Sequence, residues 1–75
     1  MAADSDWRER IVCDPKVHHG EPIVRGTRIA VSVLVASLTD LSIDQLLEQY
    51  PQLTRKDIEA AIRYAAEAAH NTLVA

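Results

Sequence analysis

The clearest hydrophobic pattern in the chain lies between residues 41 and 69, and it predicts two helices. In the first half of this stretch the apolar side chains recur at helical spacing, at Ile43, Leu46, Leu47 and Tyr50. In the second half they recur again, at Ile58, Ile62, Ala65 and Ala69. Residues at such spacings share one helix face, so each series predicts a helix that packs on one side. The alanine-rich second face permits close approach within one subunit or between subunits, and the commoner use is a core.

Both predicted helices begin with a capping signal. Ser42 and Gln45 have the spacing of a capping box, in which each side chain bonds the other residue's backbone N–H. Thr54 and Asp57 repeat the spacing and place a carboxylate near the positive end of the helix. Pro51 ends the first helix because proline disfavours helical geometry in its predecessor. Since residues 51–53 are the whole connection, the pattern predicts a helix-turn-helix over residues 42–69.

The earlier part of the chain predicts short strands and one more helix. Alternation up to the Asp14-Pro15 turn predicts a strand at about residues 8–13. Residues 22–25 and 28–31 are expected to be extended and joined by Gly26-Thr27, a dipeptide typical of a type II′ hairpin turn. Residues 31–41 fit both a strand and a helix, and we predict a helix at about 32–40 capped by Ser32.

These elements predict one domain over residues 1–75 with an α+β, mostly α fold. Residues 1–6 are expected to form a disordered tail, residues 7–31 strands and loops, and residues 32–70 three helices. The last residues, from Asn71, are expected to be frayed. Short N-terminal strands followed by a three-helix helix-turn-helix domain give a winged-helix-like arrangement.

The predicted hairpin turn contains four residues that we single out as an anion or dimer contact: Arg25, Gly26, Thr27 and Arg28. A two-residue turn sets the two arginines opposite each other, and like charges across a strand pair are destabilising. Either each arginine has a local acidic partner, with Asp14 and Glu21 as candidates, or the pair binds a phosphate or carboxylate through the forked guanidinium groups.

Length and composition narrow the class of protein. A chain of 75 residues buries only about 60% of its unfolded surface, so we expect a homodimer to supplement the core. The single cysteine, Cys13, cannot form an internal disulfide, which fits a reducing compartment. The sequence has no apolar run long enough to span a membrane and no signal peptide, so we expect a cytoplasmic protein.

Charge leaves nucleic-acid binding open. The net charge of −3 disfavours indiscriminate binding, but the deficit lies in the middle helices, at Asp40, Asp44 and Glu48. The second helix of the helix-turn-helix instead carries the candidate DNA-binding residues Arg55, Lys56 and Arg63. Alternation of Arg55, Glu59, Arg63 and Glu67 is equally typical of a solvated, salt-bridged helix face. The acidic middle could also bind a basic protein, or only confer solubility.

The sequence favours a protein that is not an enzyme. Only one cluster could bind a metal or activate a thiolate, and it consists of Cys13, Asp14, His18 and His19. Zinc sites use paired ligands with a second pair further on, and this chain has no second pair. No phosphate-binding loop is present. We therefore predict no catalytic residue, no metal and no cofactor.

Two sequence blocks carry a resemblance to a known family. Residues 20–31 contain the run RGTRI, and residues 42–66 contain YPQLT followed by an alanine-rich helix. Together they resemble the domain-of-unknown-function family 433. That family is placed among helix-turn-helix domains, and its members resemble VapB-type antitoxins, often paired with a PIN-like nuclease toxin.

The resemblance implies a small dimeric antitoxin that neutralises a PIN-like nuclease and represses its own operon by binding operator DNA. Because the sequence stops soon after the third helix, we expect inhibition to use the folded domain or its short ends rather than a long tail. The alternative is a protein-interaction or dimerisation module that does not bind DNA.

Overall fold

A two-stranded antiparallel sheet precedes three helices in the computed structural model, which describes residues 6–74 without the side chains of His18 and residues 71–74. Strand β1 is Ile11–Cys13 and strand β2 is Pro22–Val24. Helix α1 is Val31–Ser37, α2 is Ile43–Gln49 and α3 is Arg55–Val74. The α+β, mostly α architecture predicted from the sequence is confirmed. The tail predicted at residues 1–6 lies outside the described residues, except for Asp6.

The predicted strand at residues 8–13 is wrong in its first half. Residues Trp7–Arg10 form a 3₁₀ turn, and only Ile11–Cys13 are extended. Arg8 stacks on the Trp7 ring at 4.7 Å and reaches Glu67, while Arg10 reaches Asp57. These contacts with α3 join residues 59 and 47 positions apart, so the local alternation pattern could not reveal them.

The two strands pair with each other, and the predicted second arm of the hairpin is nearly absent. In the register of β1 and β2, Ile11 lies opposite Val24 and Cys13 opposite Pro22. The expected strand at residues 28–31 is reduced to one bridge between Ile23 and Ala30. Helix α1 begins immediately after that bridge, so the chain leaves the sheet before a further strand can form.

The turn beside β2 also differs from the predicted type II′ turn. The N–H of Thr27 donates to the carbonyl of Val24 at 3.0 Å, so the four-residue turn is Val24 to Thr27. Gly26 is its third residue and has a φ of 79°. A positive φ at this position is the requirement of a type II turn, and glycine meets it without steric cost.

Helix α1 is shorter than predicted and lacks the predicted cap. It covers residues 31–37 instead of 32–40, and its N-cap residue is Ala30, which has no capping side chain. The Ser32 hydroxyl donates instead to a carboxylate oxygen of Glu21 at 2.9 Å. Leu38 ends the helix, and the next three residues form turns rather than a further helical turn.

The predicted helix-turn-helix is confirmed in detail at its caps. Gln45 N–H donates to Ser42 Oγ, and Ser42 N–H donates to the Gln45 side chain, which completes the first capping box. Thr54 N–H donates to Asp57 Oδ2 at 2.9 Å, and Asp57 N–H donates to Thr54 Oγ1 at 3.2 Å. Residues 50–54 connect the two helices.

Helix α3 is longer than predicted and packs through a different face. It continues to Val74, so residues 71–74, which were expected to be frayed, are helical. Ile58, Ala60 and Ala61 are fully buried, whereas Ile62 is 38% exposed and Ala69 is exposed. Of the predicted face of Ile58, Ile62, Ala65 and Ala69, Ile58 and Ala65 pack against the core and the other two are exposed. The packing face is therefore rotated toward Ala60 and Ala61.

The core lies where the sheet and the three helices meet. Seven buried side chains form one cluster: Val24, Val31, Leu34, Leu46, Leu53, Ile58 and Ala61. Helix α3 crosses α1 and also contacts the N-terminal 3₁₀ turn, while α2 packs through Leu46. This core holds the helix-turn-helix on one side of the molecule and leaves the outer side of α3 in solvent.

Candidate nucleic-acid interface

The three predicted DNA-binding residues all project from the solvent side of α3. Arg55, Lys56 and Arg63 are exposed, while Ile58 and Ala61 on the opposite side are buried. Lys56 and Arg63 are two helical turns apart on nearly the same side, a rise of about 10 Å along the axis. The outer face of the second helix in a helix-turn-helix is the part that enters a DNA groove.

One of these residues is already paired with an acid. Arg55 Nη2 lies 2.7 Å from Asp44 Oδ1 across the turn, and both side chains are exposed. Glu67 likewise bonds Arg8, so these two residues of the alternating series turn to other elements rather than to their helix neighbours. Exposed pairs of this kind contribute about 0–1 kcal/mol, so a phosphate could displace Asp44 at small cost.

The acidic residues of the middle helices are exposed beside this surface. Asp44 and Glu48 lie on α2, and Asp40 lies in the turn before it. These three residues are named here the acidic flank, and Asp44 joins it to α3 through its pair with Arg55. The flank repels a polyanion that approaches α3 from this side.

Asp57 has a second role that the sequence did not indicate. Its Oδ2 caps α3, and its Oδ1 accepts a hydrogen bond from Arg10 at 2.9 Å. The Asp57 side chain is only 14% exposed. The carbonyl of Arg10 in turn accepts the N–H of Arg25 at 2.7 Å. Arg10 therefore connects the start of α3 to the turn that carries the two predicted anion-contact arginines.

In that turn the arginine side chains are exposed, and the threonine side chain forms hydrogen bonds within the turn. Arg25, Gly26 and Arg28 are exposed. Thr27 Oγ1 donates to the Val24 carbonyl and accepts the N–H of Ile29. The turn is therefore fixed by its own hydrogen bonds. The bridge pairs Ile23 with Ala30, and Arg25 lies inside the Val24–Thr27 turn while Arg28 follows it. The opposition of the two arginines across the turn stays a prediction.

The two acids proposed as local partners of the arginines both accept hydrogen bonds, and Asp14 borders the same groove as Arg28. Asp14 accepts the backbone N–H of Lys16 at 2.9 Å, and Glu21 accepts the Ser32 hydroxyl. The arginine turn borders an open groove together with Gln52 from the helix-turn-helix connection. The structure thus brings the arginine turn and the helix-turn-helix connection to one groove, which sequence spacing could not show.

The cluster considered for metal or thiolate chemistry includes His18, whose side chain lies outside the described part of the structure. Cys13 is exposed and lies beside Tyr64. Burial raises the pKa of the Tyr64 hydroxyl above its ordinary value of 10.0, and the neighbouring Cys13 raises it further. Within residues 6–74, apart from the side chains left undescribed, no three acidic, cysteine or histidine side chains are grouped to hold a metal ion.

An apolar groove lies between α1 and the C-terminal half of α3, and it is named here the α1–α3 groove. Its volume is about 410 Å³. It is lined by Glu21, Pro22, Val31, Ser32, Val35, Ala36, Tyr64, Ala65 and Ala68. Glu21 is the one acid in this lining, and its carboxylate is already bonded to Ser32. The sequence did not predict this groove, because it placed the packing face of α3 on a different side of the helix.

In the described part of the chain, no helix is both long and apolar enough to cross a membrane.

Comparison with known proteins defines the family. Residues 11–65 match the family model described as Protein of unknown function (DUF433). Uncharacterized protein y4eO of Sinorhizobium fredii (strain NBRC 101917 / NGR234) is 37% identical over 59 residues, which cover 77% of this chain and 27% of that relative. The chain thus spans about a quarter of the relative's length, and no solved structure matches. Because the family model covers well over half of the chain, from β1 into the first half of α3, the chain belongs to the DUF433 family.

Proposed function

We propose that this domain is the antitoxin of a type II toxin–antitoxin pair, acting in the cytoplasm as a homodimer. It neutralises a partner nuclease of the PIN-like class and binds operator DNA through its helix-turn-helix. The resemblance of this family to VapB-type antitoxins supports the neutralising role. The structure supports the DNA-binding role.

The observation that carries the proposal is the outer face of α3. A helix-turn-helix with two capping boxes presents Arg55, Lys56 and Arg63 to solvent, and the core lies behind them. Their flexible cationic side chains suit phosphate contacts, and arginine also suits guanine readout in the major groove. Arg25 and Arg28 lie in or directly after the turn that Arg10 links to the start of α3. The proposal gives these two arginines the phosphates that flank the groove.

A second candidate function is a protein-interaction module without DNA binding. It is favoured by the pair between Arg55 and Asp44 and by the exposed acids Asp40 and Glu48 nearby. On this alternative the charges of α3 serve solubility, and the domain works only through protein contacts.

The two candidates differ in the salt dependence of DNA binding. We expect the 75-residue chain to bind a fragment of its own promoter with an affinity that falls as salt rises, since each phosphate contact releases a counterion. Replacing Arg55, Lys56 and Arg63 together with alanine should weaken binding at least tenfold and flatten the dependence on salt. Fluorescence anisotropy with a labelled fragment measures both quantities.

A lysine pair supplies the control. Lys56→Ala should lower the slope of log K against log salt by about 1, whereas Lys16→Ala, in the exposed loop after β1, should leave it unchanged. Equal effects of the two substitutions, or an intact slope in the triple variant, would exclude α3 as the DNA-binding element and leave the interaction module as the better account.

A further inference from the structure

The core-facing side of α3 extends beyond the core of the domain. Along this side Ile58 and Ala61 are fully buried, Tyr64 and Ala65 are half-buried, and Ala68 is exposed. The helix has 20 residues, about 30 Å, and the buried residues occupy only its first two turns. Among the described residues, therefore, the packing side of α3 remains apolar after it leaves the core and becomes exposed to solvent.

This part of α3 forms a ridge between two grooves. The α1–α3 groove lies on one side. On the other lies a cleft of about 370 Å³ bordered by Trp7, Arg8 and Cys13. Tyr64 and Ala68 line both. Helices pack with the side-chain ridge of one in the groove of the other, and this surface presents both a ridge and a groove. The small side chain of Ala68 allows a close approach.

Charge favours a second copy of the chain as the occupant of this surface. In a two-fold interface the same patch meets itself, so a patch of one sign repels its copy. The acidic flank at Asp40, Asp44 and Glu48 has that defect. The outer face of α3 carries mixed charges, because exposed Glu59 lies between Arg55 and Arg63. Around the ridge Arg8 pairs with Glu67, so these two charges offset each other. Glu21 keeps its negative charge and accepts a hydrogen bond from the neutral Ser32 hydroxyl at the edge of the groove.

We infer that two copies of this chain associate around the ridge at Tyr64 and Ala68, with the ridge of each copy inserted into the α1–α3 groove of the other. The interface covers apolar surface that a chain this small leaves exposed and leaves the outer face of α3 free in both copies. This inference assigns a surface to the homodimer of the proposed function. The test of this inference uses neither DNA nor a nuclease. The inference can therefore fail while the proposed function holds, and the reverse is also true.

Two exposed alanines on α3 allow a matched test. Ala68→Glu places a charge in the proposed interface, while Ala66→Glu places the same charge on the outer side of the helix. In sedimentation equilibrium the unmodified chain should have twice its 8.3 kDa mass. Ala68→Glu should weaken the dimer at least about tenfold, because an unpaired charge would be buried, and Ala66→Glu should not.

Ala36→Glu, on the α1 wall of the groove, provides a second variant whose effect does not depend on the integrity of α3. It should also weaken the dimer, and circular dichroism checks that each variant keeps its helical content. A monomeric unmodified chain would overturn the inference. So would a dimer that the substitutions at Ala68 and Ala36 weaken no more than the substitution at Ala66.

Discussion

Asp57 shows how one side chain combines local and distant roles. Its bonds with Thr54 were predictable, because a capping box depends on residues three positions apart. Its bond with Arg10 was not, because the two residues are 47 positions apart and nothing in the spacing links them. Through this carboxylate the N-terminal turn is attached to the start of the proposed DNA-binding helix.

We expect Asp57→Ala to lower the free energy of unfolding by about 1–2 kcal/mol, since it removes an N-terminal cap and leaves Arg10 without its acid. Asp44→Ala is the matched control, because it also removes an aspartate paired to an arginine. There the pair is exposed, so the loss should be about 0.5 kcal/mol or less. Urea denaturation measures both, and equal losses would contradict the role assigned to Asp57.

Because of Tyr64, we expect the free energy of unfolding to depend on pH in the alkaline range. Burial, with Cys13 beside it, raises the pKa of its hydroxyl above 10.0 in the folded chain. Folding therefore favours the protonated phenol. This contribution to stability is complete below the unfolded pKa and is lost as the pH rises through the folded pKa.

The free energy of unfolding should therefore fall more steeply above about pH 10 in the unmodified chain than in Tyr64→Phe, which keeps the ring and removes the titrating group. Denaturant titrations at a series of alkaline pH values measure the difference. Parallel pH profiles for the two proteins would show that Tyr64 is not the group responsible.

At the scale of whole elements, helix ends fixed by neighbouring residues were predicted correctly, and ends fixed by distant contacts were not. The limits of α2 and the start of α3 were predictable, since Ser42, Pro51 and Thr54 act on their immediate neighbours. The start of α1 was not, because Ala30 provides no capping side chain and the obvious candidate, Ser32, bonds Glu21 instead.

The packing face of α3 was misplaced for a different reason. The pattern of large apolar residues selected Ile62, but Ala60 and Ala61 are the buried neighbours of Ile58. Alanine carries a weak hydrophobic signal and still packs well where a neighbouring helix approaches closely. The direction of that approach is set by α1 and the sheet, which lie far away in the sequence.

Two isoleucines on α3 test this orientation. Ile58 is fully buried and Ile62 is 38% exposed. We expect Ile58→Ala to cost about 2–5 kcal/mol, the range for a large-to-small change in a core. Ile62→Ala should cost about 1 kcal/mol or less. Thermal denaturation compares the two, and a larger loss for Ile62→Ala would favour the face predicted from the sequence.

At the scale of the whole molecule, the surface divides into regions of different chemistry. The turn before α2 and α2 itself carry exposed acids, the outer side of α3 carries exposed bases, and the opposite side of α3 borders an apolar groove. The family and the fold class were identifiable from RGTRI, YPQLT and helical periodicity. The groove and the Arg10 connection were not, because both arise only when distant segments meet.

This division gives each surface a separate role in the proposed antitoxin. The proposal assigns DNA binding to the outer side of α3 and the contact between two copies to the ridge at Tyr64 and Ala68. Two helix-turn-helix units in a symmetric dimer bind two half-sites of an operator, which raises both affinity and specificity over one unit alone.

The most direct test of the proposed function is the retention of the chain's own promoter region in a mobility-shift measurement, with and without the product of the adjacent gene. The account predicts a sequence-specific shift that persists at physiological salt and sharpens when the partner is added. A shift that disappears as salt rises, ignores the DNA sequence and does not respond to the partner would contradict it.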